Sequence, residues 1–197
     1  MKILEVKKLT DFSHLNLFST KYMDKIGNLK SWIFASRSNS PAVMKNKNND
    51  LEQSSRPNAV VIVPFHVEHQ KLVIIKEFRV PIGDYQYGFP AGLMDRGESV
   101  EETATRELKE ETGLQVVEII RTSPTIYSST GMTDESISLV YILCTGKPSV
   151  EWSEDSEDIT VLMVSSEEAK ELLSNPDVKF DVKSWIVLST FARTGII

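Results

Sequence analysis

The sequence predicts a mixed α/β (α+β) fold, and two kinds of segment predict it. Residues 59–67 and 72–80 are rich in Val and Ile, as strands of a well-covered sheet are. Residues 99–113 carry the start signal, the apolar periodicity and the stop signal of a helix. With 197 residues, 41% of them hydrophobic, the chain is long enough to form a core without a disulfide or a structural metal.

The N-terminal part of the chain is expected to consist of strands and a linker. In residues 1–37, Gly27-Asn28 is a turn signal between two strand-like stretches. Residues 38–57 are dominated by Ser, Asn, Lys, Gln and Pro, which predicts a surface loop or linker. We therefore expect two domains, residues 1–57 and residues 58–197.

The middle of the chain is expected to hold a loop followed by a strongly marked helix. Prolines and glycines punctuate residues 81–98, which predicts a loop. Ser99 and Glu102 then form a capping box, and Gly113 lies where a helix end favours a left-handed residue. Three apolar residues one helical turn apart form a core-facing stripe: Val100, Ala104 and Leu108.

The C-terminal part is expected to complete the sheet and to end in two helices. Strands are predicted near residues 115–122, 136–145 and 159–164. Helices are predicted near residues 166–174 and 180–193, capped by Ser165 and Asp181. The inner face of the last helix is predicted to carry Trp185, Leu188 and Phe191.

Charge and cysteine content limit the possible partners. Asp and Glu outnumber Lys and Arg by 28 to 22, a net charge of −6, which disfavours nonspecific nucleic-acid binding. The single cysteine, Cys144, excludes an intramolecular disulfide and a cysteine-based zinc site, and its apolar surroundings favour a core role over a reactive thiol. No stretch resembles a signal peptide or a membrane span. We expect a soluble, cytoplasmic protein with no membrane and no nucleic-acid partner.

The predicted helix places acidic residues beside its apolar stripe. At about 100° per residue, Glu107 and Glu111 lie within about 40° of each other, and Glu110 lies about 60° from Glu107. An acidic helix is ordinarily just a solvated surface. Carboxylates at the edge of a core are costly unless they are paired. Arg106 can pair with one of them, and Mg²⁺ or Mn²⁺ would suit the remaining oxygens.

A motif around this helix supports the metal interpretation. Residues 92–114, GLMDRGESVEETATRELKEETGL, satisfy the pattern G-x5-E-x7-R-E-U-x-E-E-x-G-U, in which U is a bulky aliphatic residue. The fixed and aliphatic positions are Gly92, Glu98, Arg106, Glu107, Leu108, Glu110, Glu111, Gly113 and Leu114. This is the Nudix box, and the chain resembles a Nudix hydrolase. The resemblance implies a three-layer α/β/α sandwich with a mixed sheet, here with an N-terminal β extension. It also implies hydrolysis of a nucleoside diphosphate linked to another group.

The resemblance also implies roles for the box residues. The implied metal ligands, for Mg²⁺ or Mn²⁺, are the backbone carbonyl of Ala91 and the side chains of Glu98, Glu107, Glu110 and Glu111. Glu107 and Glu111 would be the principal ligands, while Glu98 and Glu110 would hold further metals or polarise water. Arg106 would fix a glutamate by a salt bridge.

Outside the box the chain resembles the ADP-ribose (ADP-sugar) pyrophosphatase branch. Arg79 is the expected contact to the substrate phosphates, with a surface salt bridge as the alternative. Trp32 is a candidate for stacking on adenine, with Arg37 lining the same pocket; core or dimer packing is the alternative for Trp32. Thr130 stands where the branch often has a proline, although Glu135 keeps the acid of that pattern. This departure leaves room for a sugar nucleotide other than ADP-ribose.

The catalytic base is expected in an acidic loop near the C-terminus. Glu154 and Glu157 are the main candidates and Asp155 is the third, but any of them could be plain solvated loop.

The sequence is compatible with several functional hypotheses. The leading one is hydrolysis of ADP-ribose to AMP and ribose 5-phosphate. The alternatives are a Nudix hydrolase of GDP-mannose, a UDP-sugar, a dinucleoside polyphosphate or a damaged nucleoside triphosphate, and a non-catalytic nucleotide-sensing module. By resemblance we also expect a homodimer that exchanges strands of residues 1–37, with Leu17, Phe18 and Phe34 as exposed apolar residues.

Overall fold

The computed structural model describes residues 1–47, 56–154 and 156–197. The chain forms two compact units. The first unit is Met1–Asn58 with Thr125–Ile137, and the second unit is Ala59–Pro124 with Ser138–Ile197. The expected division between residues 57 and 58 stays a prediction, and segment 125–137 groups with the first unit.

The first unit is built on a three-stranded antiparallel sheet, which confirms the strands predicted in residues 1–37. The strands are β1 (Lys2–Lys8), β2 (Asn16–Met23) and β3 (Leu29–Ser36), in the order β1-β2-β3. Gly27 takes a positive φ of 89° in the β2–β3 turn, a conformation that glycine adopts without steric cost.

Two expectations for the first unit are wrong. Part of the predicted linker is a helix, α1 (Ala42–Lys47), whose Ala42 N–H donates to Asp134 Oδ2 at 2.9 Å. Residues 48–55 of that linker lie outside the described residues. Of the three apolar residues expected at the surface, only Leu17 is exposed; Phe18 is buried and Phe34 is half-buried. The reason is pairing across the sheet, because Phe18 and Phe34 stack with their centroids 5.6 Å apart.

The second unit contains the main sheet. Its strands are β4 (Ala59–His66), β5 (Lys71–Arg79), β6 (Asp84–Gly88), β7 (Ala91–Leu93), β8 (Gln115–Thr122), most of β10 (Ser136–Thr145) and β11 (Ile159–Val164). The strand order is β11-β5-β4-β10-β8, with β6 paired to β5 and β7 to β4. The two-residue strand β9 (Ile126–Tyr127) pairs with the first two residues of β10, in the first unit.

Strands β6 and β7 correct the loop predicted at residues 81–98. They are short and rich in glycine, so they lack the apolar alternation that marks a strand. They become strands by pairing with longer strands: Gly88 lies opposite Ile75 of β5, and Ala91 lies opposite Val61 of β4. A 3₁₀ turn at Val80–Ile82 precedes them.

Three helices cover this sheet, and their caps match the sequence signals. They are α2 (Val100–Thr112), α3 (Ser166–Ser174) and α4 (Val182–Thr194). Helix α2 packs against β4, β7 and β8, whereas α3 contacts β11 and α4 contacts β6. Ser99, Ser165 and Asp181 each cap a helix N-terminus with their side chains. The α/β sandwich predicted from the sequence is confirmed.

One side chain of α4 is misplaced in the prediction. Trp185 is 52% exposed, whereas Leu188 and Phe191 are buried as expected. The buried face is centred on Ser184 and Leu188, which are four residues apart, and Trp185 lies at its edge.

The hydrophobic core lies between α2 and the main sheet. Its fully buried members are Val60, Ile62, Val73, Ala104, Leu108, Leu114, Val140, Ile142 and Cys144. Cys144 is therefore a core residue, as predicted, and burial raises the pKa of its thiol to about 12. Among the described residues, no helix is long and apolar enough to cross a membrane.

Candidate active site

The box residues form a loop, helix α2 and a second loop. Two glycines of the box, Gly92 and Gly113, allow neighbouring atoms to come close to the backbone. A Cβ on Gly92 would lie 1.9 Å from Cδ of Glu107, so the carboxyl group occupies the space where a side chain would be. Gly113 ends α2 with a φ of 71°, and a Cβ there would lie 2.8 Å from Cβ of Ser149. Glycine at these positions lets the Glu107 carboxyl group approach residue 92 and the Ser149 backbone approach residue 113.

Glu107 and Glu111 point inward, as the helical wheel predicts. Glu107 is 9% exposed and Glu111 is 4% exposed. Glu111 Oε2 accepts one hydrogen bond from Ala91 N–H at 3.1 Å. Burial raises the pKa of Glu111 to about 9, and the nearby carboxylates of Glu107, Glu157 and Glu77 act in the same direction. Burial also raises the pKa of Glu107, against the opposing effect of Arg106.

Arg106 holds three carboxylates rather than the single one expected. Its Nε and Nη2 donate to the two oxygens of Glu98, each at 2.9 Å. Its Nη1 donates to Glu107 Oε1 at 2.6 Å and to Glu110 Oε2 at 3.0 Å. The guanidinium lowers the pKa of Glu98 to about 2, and the acids in turn raise the pKa of Arg106. The fork geometry of Arg suits this shared role.

A cavity of about 450 Å³ opens beside these acids. Its lining residues are Ala91, Gly92, Leu93, Asp95, Arg106, Glu107, Glu110, Trp152, Glu154 and Glu157. The structure thus brings two of the three candidate bases to the box acids, while Asp155 lies outside the described residues. A hydrogen bond within the acidic loop joins the two candidates: Glu154 N–H donates to Glu157 Oε2 at 3.0 Å.

The donor set fits a hard divalent cation. The side chains offer carboxylate oxygens, the ligands that Mg²⁺ and Mn²⁺ prefer. Glu111 carries a buried carboxyl group with a single backbone donor, and Gly92 leaves room for the carboxyl group of Glu107. Within residues 1–47, 56–154 and 156–197, no three acidic, His or Cys side chains already converge as a metal shell. Three of the box acids, Glu98, Glu107 and Glu110, instead contact Arg106.

Arg79 lies next to this site and is paired with an acid that sequence reasoning missed. Arg79 lines a narrow cleft together with Ala91, the residue that also lines the larger cavity. Its Nη1 lies 2.8 Å from Oε1 of Glu77. Glu77 is outside the Nudix box, and its only sequence signal is its position two residues before Arg79 on one strand.

The other expected substrate contacts belong to the first unit. Trp32 lines an apolar cavity of about 550 Å³ there, and its Nε1 donates to the Gly131 carbonyl at 3.2 Å. Arg37 Nε lies 3.4 Å from Glu135 Oε1. Sequence reasoning missed Thr20, whose buried hydroxyl lines the same cavity and has no hydrogen-bond partner among the residues described.

Comparison with known proteins agrees with this arrangement. The NUDIX domain family model matches residues 55–185. An ADP-ribose pyrophosphatase of Bacillus subtilis (strain 168) is 32% identical over 143 residues, which cover 70% of this chain and 74% of that protein. The chain therefore belongs to the NUDIX domain family, whose hydrolases generally need divalent metal cations.

Two further similarities concern coverage and fold. An ADP-sugar pyrophosphatase of Mus musculus is 32% identical over 127 residues, which cover 64% of this chain but only 54% of that protein. The chain thus spans about half the length of that relative. A crystal structure of an ADP compounds hydrolase has a TM-score of 0.70, covers 98% of this chain and 94% of its own, and is 20% identical. At that identity the likeness concerns the fold.

Proposed function

We propose that the protein hydrolyses the pyrophosphate bond of a nucleoside diphosphate sugar, with ADP-ribose as the expected substrate and AMP and ribose 5-phosphate as the products. The observation that carries this proposal is the pair of buried glutamates, Glu107 and Glu111, beside an open cavity. Burying two carboxylates costs several kcal/mol unless a charge compensates them. The relatives described as ADP-ribose and ADP-sugar pyrophosphatases support this substrate class.

The cation that the site would hold is Mg²⁺ or Mn²⁺. The proposed ligands are the Ala91 carbonyl and the carboxylates of Glu98, Glu107, Glu110 and Glu111. When bound, such a cation neutralises diphosphate charge and makes water a better nucleophile. Arg106 keeps Glu98, Glu107 and Glu110 in fixed positions, so that the acids are ordered before substrate arrives.

Glu157 is the acid that we propose as the general base. Both Glu154 and Glu157 line the cavity. The charge of Glu157 raises the pKa values of Glu77, Glu107 and Glu111. Glu157 therefore lies within the electrostatic reach of the box acids, where an attacking water would be.

Arg79 and three residues of the first unit are the proposed substrate contacts. Arg79 would bind the diphosphate, since guanidinium pairs with phosphate oxygens bidentately. The apolar cavity at Trp32 has a size and lining that suit a planar base. Arg37 and Glu135 form an ion pair in the same unit and would help to fix the nucleoside.

Two properties of the whole protein complete the proposal. Half-exposed apolar residues of the first sheet, such as Trp32 and Ile33, favour a homodimer through residues 1–37. A cytoplasmic location agrees with the single cysteine, which is buried.

The experiment that tests the function is a substrate panel. Purified protein is incubated with Mg²⁺ and, in turn, ADP-ribose, GDP-mannose, a UDP-glucose standard and a dinucleoside polyphosphate, and the released phosphate monoesters are quantified. We expect the fastest turnover with ADP-ribose and loss of turnover in Glu111→Gln. Turnover of another compound without ADP-ribose turnover would refute the substrate, and equal turnover by Glu111→Gln would refute the site.

A further inference from the structure

Glu77 is a partly buried carboxylate beside the candidate active site, and it lies outside the Nudix box. It lies on β5 two residues before Arg79, and side chains at that spacing project from the same face of a strand. The side chain of Glu77 is 14% exposed, whereas that of Arg79 is 49% exposed. The contact between them, at 2.8 Å, therefore joins a partly buried carboxylate to a cation that reaches solvent.

The space around Glu77 is narrow. The cleft that it shares with Arg79 and Ala91 has a volume of about 20 Å³. A cavity of this size holds about one water molecule and no phosphate group. The polar contact that Glu77 makes in this cleft is with Arg79, whose guanidinium has further N–H donors available for a phosphate.

Stability alone does not explain this pair. Burial raises the pKa of Glu77 in spite of Arg79, and the charge of Glu157 acts in the same direction. A partly buried carboxylate with a half-exposed partner gains little net stabilisation, because desolvation and solvent screening offset much of the attraction. The contact at 2.8 Å does restrict the orientation of the Arg79 guanidinium.

We propose that Glu77 is a positioning residue for substrate binding: it holds the Arg79 guanidinium beside Ala91, so that the fork meets the diphosphate in a bidentate geometry. The inference rests on the proposed function, because it assigns Arg79 to the diphosphate. Without Glu77, the long Arg79 side chain samples other rotamers and loses that geometry.

The test combines steady-state kinetics on ADP-ribose with calorimetric binding of inorganic pyrophosphate in Mg²⁺. The variants are Glu77→Gln, Arg79→Ala and the double variant. The matched control is Glu168→Gln, because Glu168 pairs with Lys71 at 2.9 Å on the surface and glutamine keeps its capping box on α3. Circular dichroism establishes that each variant is folded.

We expect Glu77→Gln to raise KM for ADP-ribose and Kd for pyrophosphate about 10-fold, a charge-assisted hydrogen bond being lost. The value of kcat should change less than about 3-fold, because binding rather than chemistry is impaired. When Arg79 is already replaced by Ala, adding Glu77→Gln should change KM and Kd by less than about 2-fold. The Glu168→Gln control should match the wild type.

Three results would overturn the positioning role. An unchanged Kd in Glu77→Gln shows that Arg79 needs no orienting partner. A lower Kd shows that Glu77 competes with phosphate for Arg79. An equal loss with and without Arg79 shows a general structural role. If the wild type binds pyrophosphate but turns over no ADP-sugar, the proposed function fails while the calorimetry still decides the role of Glu77.

Discussion

The buried carboxyl group of Glu111 should make the metal-free protein less stable as the pH rises. Its pKa is about 9 in the folded protein, against an ordinary value of 4.5. The folded state therefore binds a proton more tightly than the unfolded state. The full stability is present below about pH 4.5, and it declines as the pH rises towards about 9.

The size of this effect follows from the two pKa values. Each pH unit between them lowers the free energy of unfolding by about 1.4 kcal/mol. At pH 7 the penalty reaches about 3 kcal/mol, and at pH 5 it is below about 1 kcal/mol. Glutamine at position 111 does not titrate, and its side-chain oxygen can still accept the hydrogen bond from Ala91 N–H. Between pH 5 and pH 7, Glu111→Gln should therefore gain about 2.5 kcal/mol relative to the wild type.

The assay is urea unfolding of both proteins in EDTA at several pH values. Any pH-independent effect of the new amide group on the free energy of unfolding cancels, because only the change of that free energy with pH is compared. The control is Glu101→Gln, an exposed position on the same helix, whose curve should run parallel to that of the wild type. Parallel curves for Glu111→Gln as well would refute the reasoning. Added Mg²⁺ should then stabilise the wild type more than Glu111→Gln, by mass action on the folded state.

Three further predictions concern the site and the assembly. Gly92→Ala should abolish turnover with the fold retained, because a Cβ there meets the carboxyl group of Glu107; wild-type kcat with normal circular dichroism would contradict this. Glu157→Gln should lower kcat about 100-fold or more and Glu154→Gln less than about 10-fold, as measured by product release; the reverse order would make Glu154 the base. Light scattering at micromolar concentration should give the mass of a dimer that depends on residues 1–37, and a stable monomer would refute that assembly.

Elements with strong local signals were predictable almost residue by residue. The α2 helix begins after Ser99 and ends before Gly113, as the capping box and the left-handed glycine indicate. Strand β10 covers the predicted residues 136–145, because the continuous apolar run of residues 139–144 is typical of a strand in a well-covered sheet. Local propensity and burial agree in these segments, which is why the sequence alone suffices.

Elements defined by tertiary contacts were not predictable in this way. Strands β6 and β7 have only five and three residues, and each becomes a strand by pairing with a longer neighbour. Helix α1 lacks an apolar stripe, and the contact at its start comes from Asp134, far along the chain. The exposure of Trp185 depends on which face of α4 meets the sheet. The spacing of the apolar residues fixes the direction of that face only to within about 60° around the helix axis.

The candidate site shows the same division. The inward direction of Glu107 and Glu111 follows from the helical period, and the structure confirms it. The pairing of Glu77 with Arg79 and the buried hydroxyl of Thr20, without a hydrogen-bond partner in the described part of the chain, depend on burial, which a single sequence does not fix. The direction of charged residues on a helix can be predicted from their spacing in the sequence, whereas the desolvation of a strand residue is a property of the assembled sheet.

The charge balance around Arg106 links stability to the proposed chemistry. One guanidinium faces Glu98, Glu107 and Glu110, while Glu111 lies deeper with a single backbone donor. One positive charge cannot neutralise this set, so ionisation of Glu111 adds a negative charge that the protein alone does not compensate. That unfavourable charge is also what would attract a divalent cation, since affinity for a hard cation rises with the charge of its oxygen ligands. Glu111, the acid that most destabilises the metal-free fold at neutral pH, is therefore the one expected to contribute most to metal binding. A substitution that removes its charge should lower the activity and raise the stability of the metal-free protein.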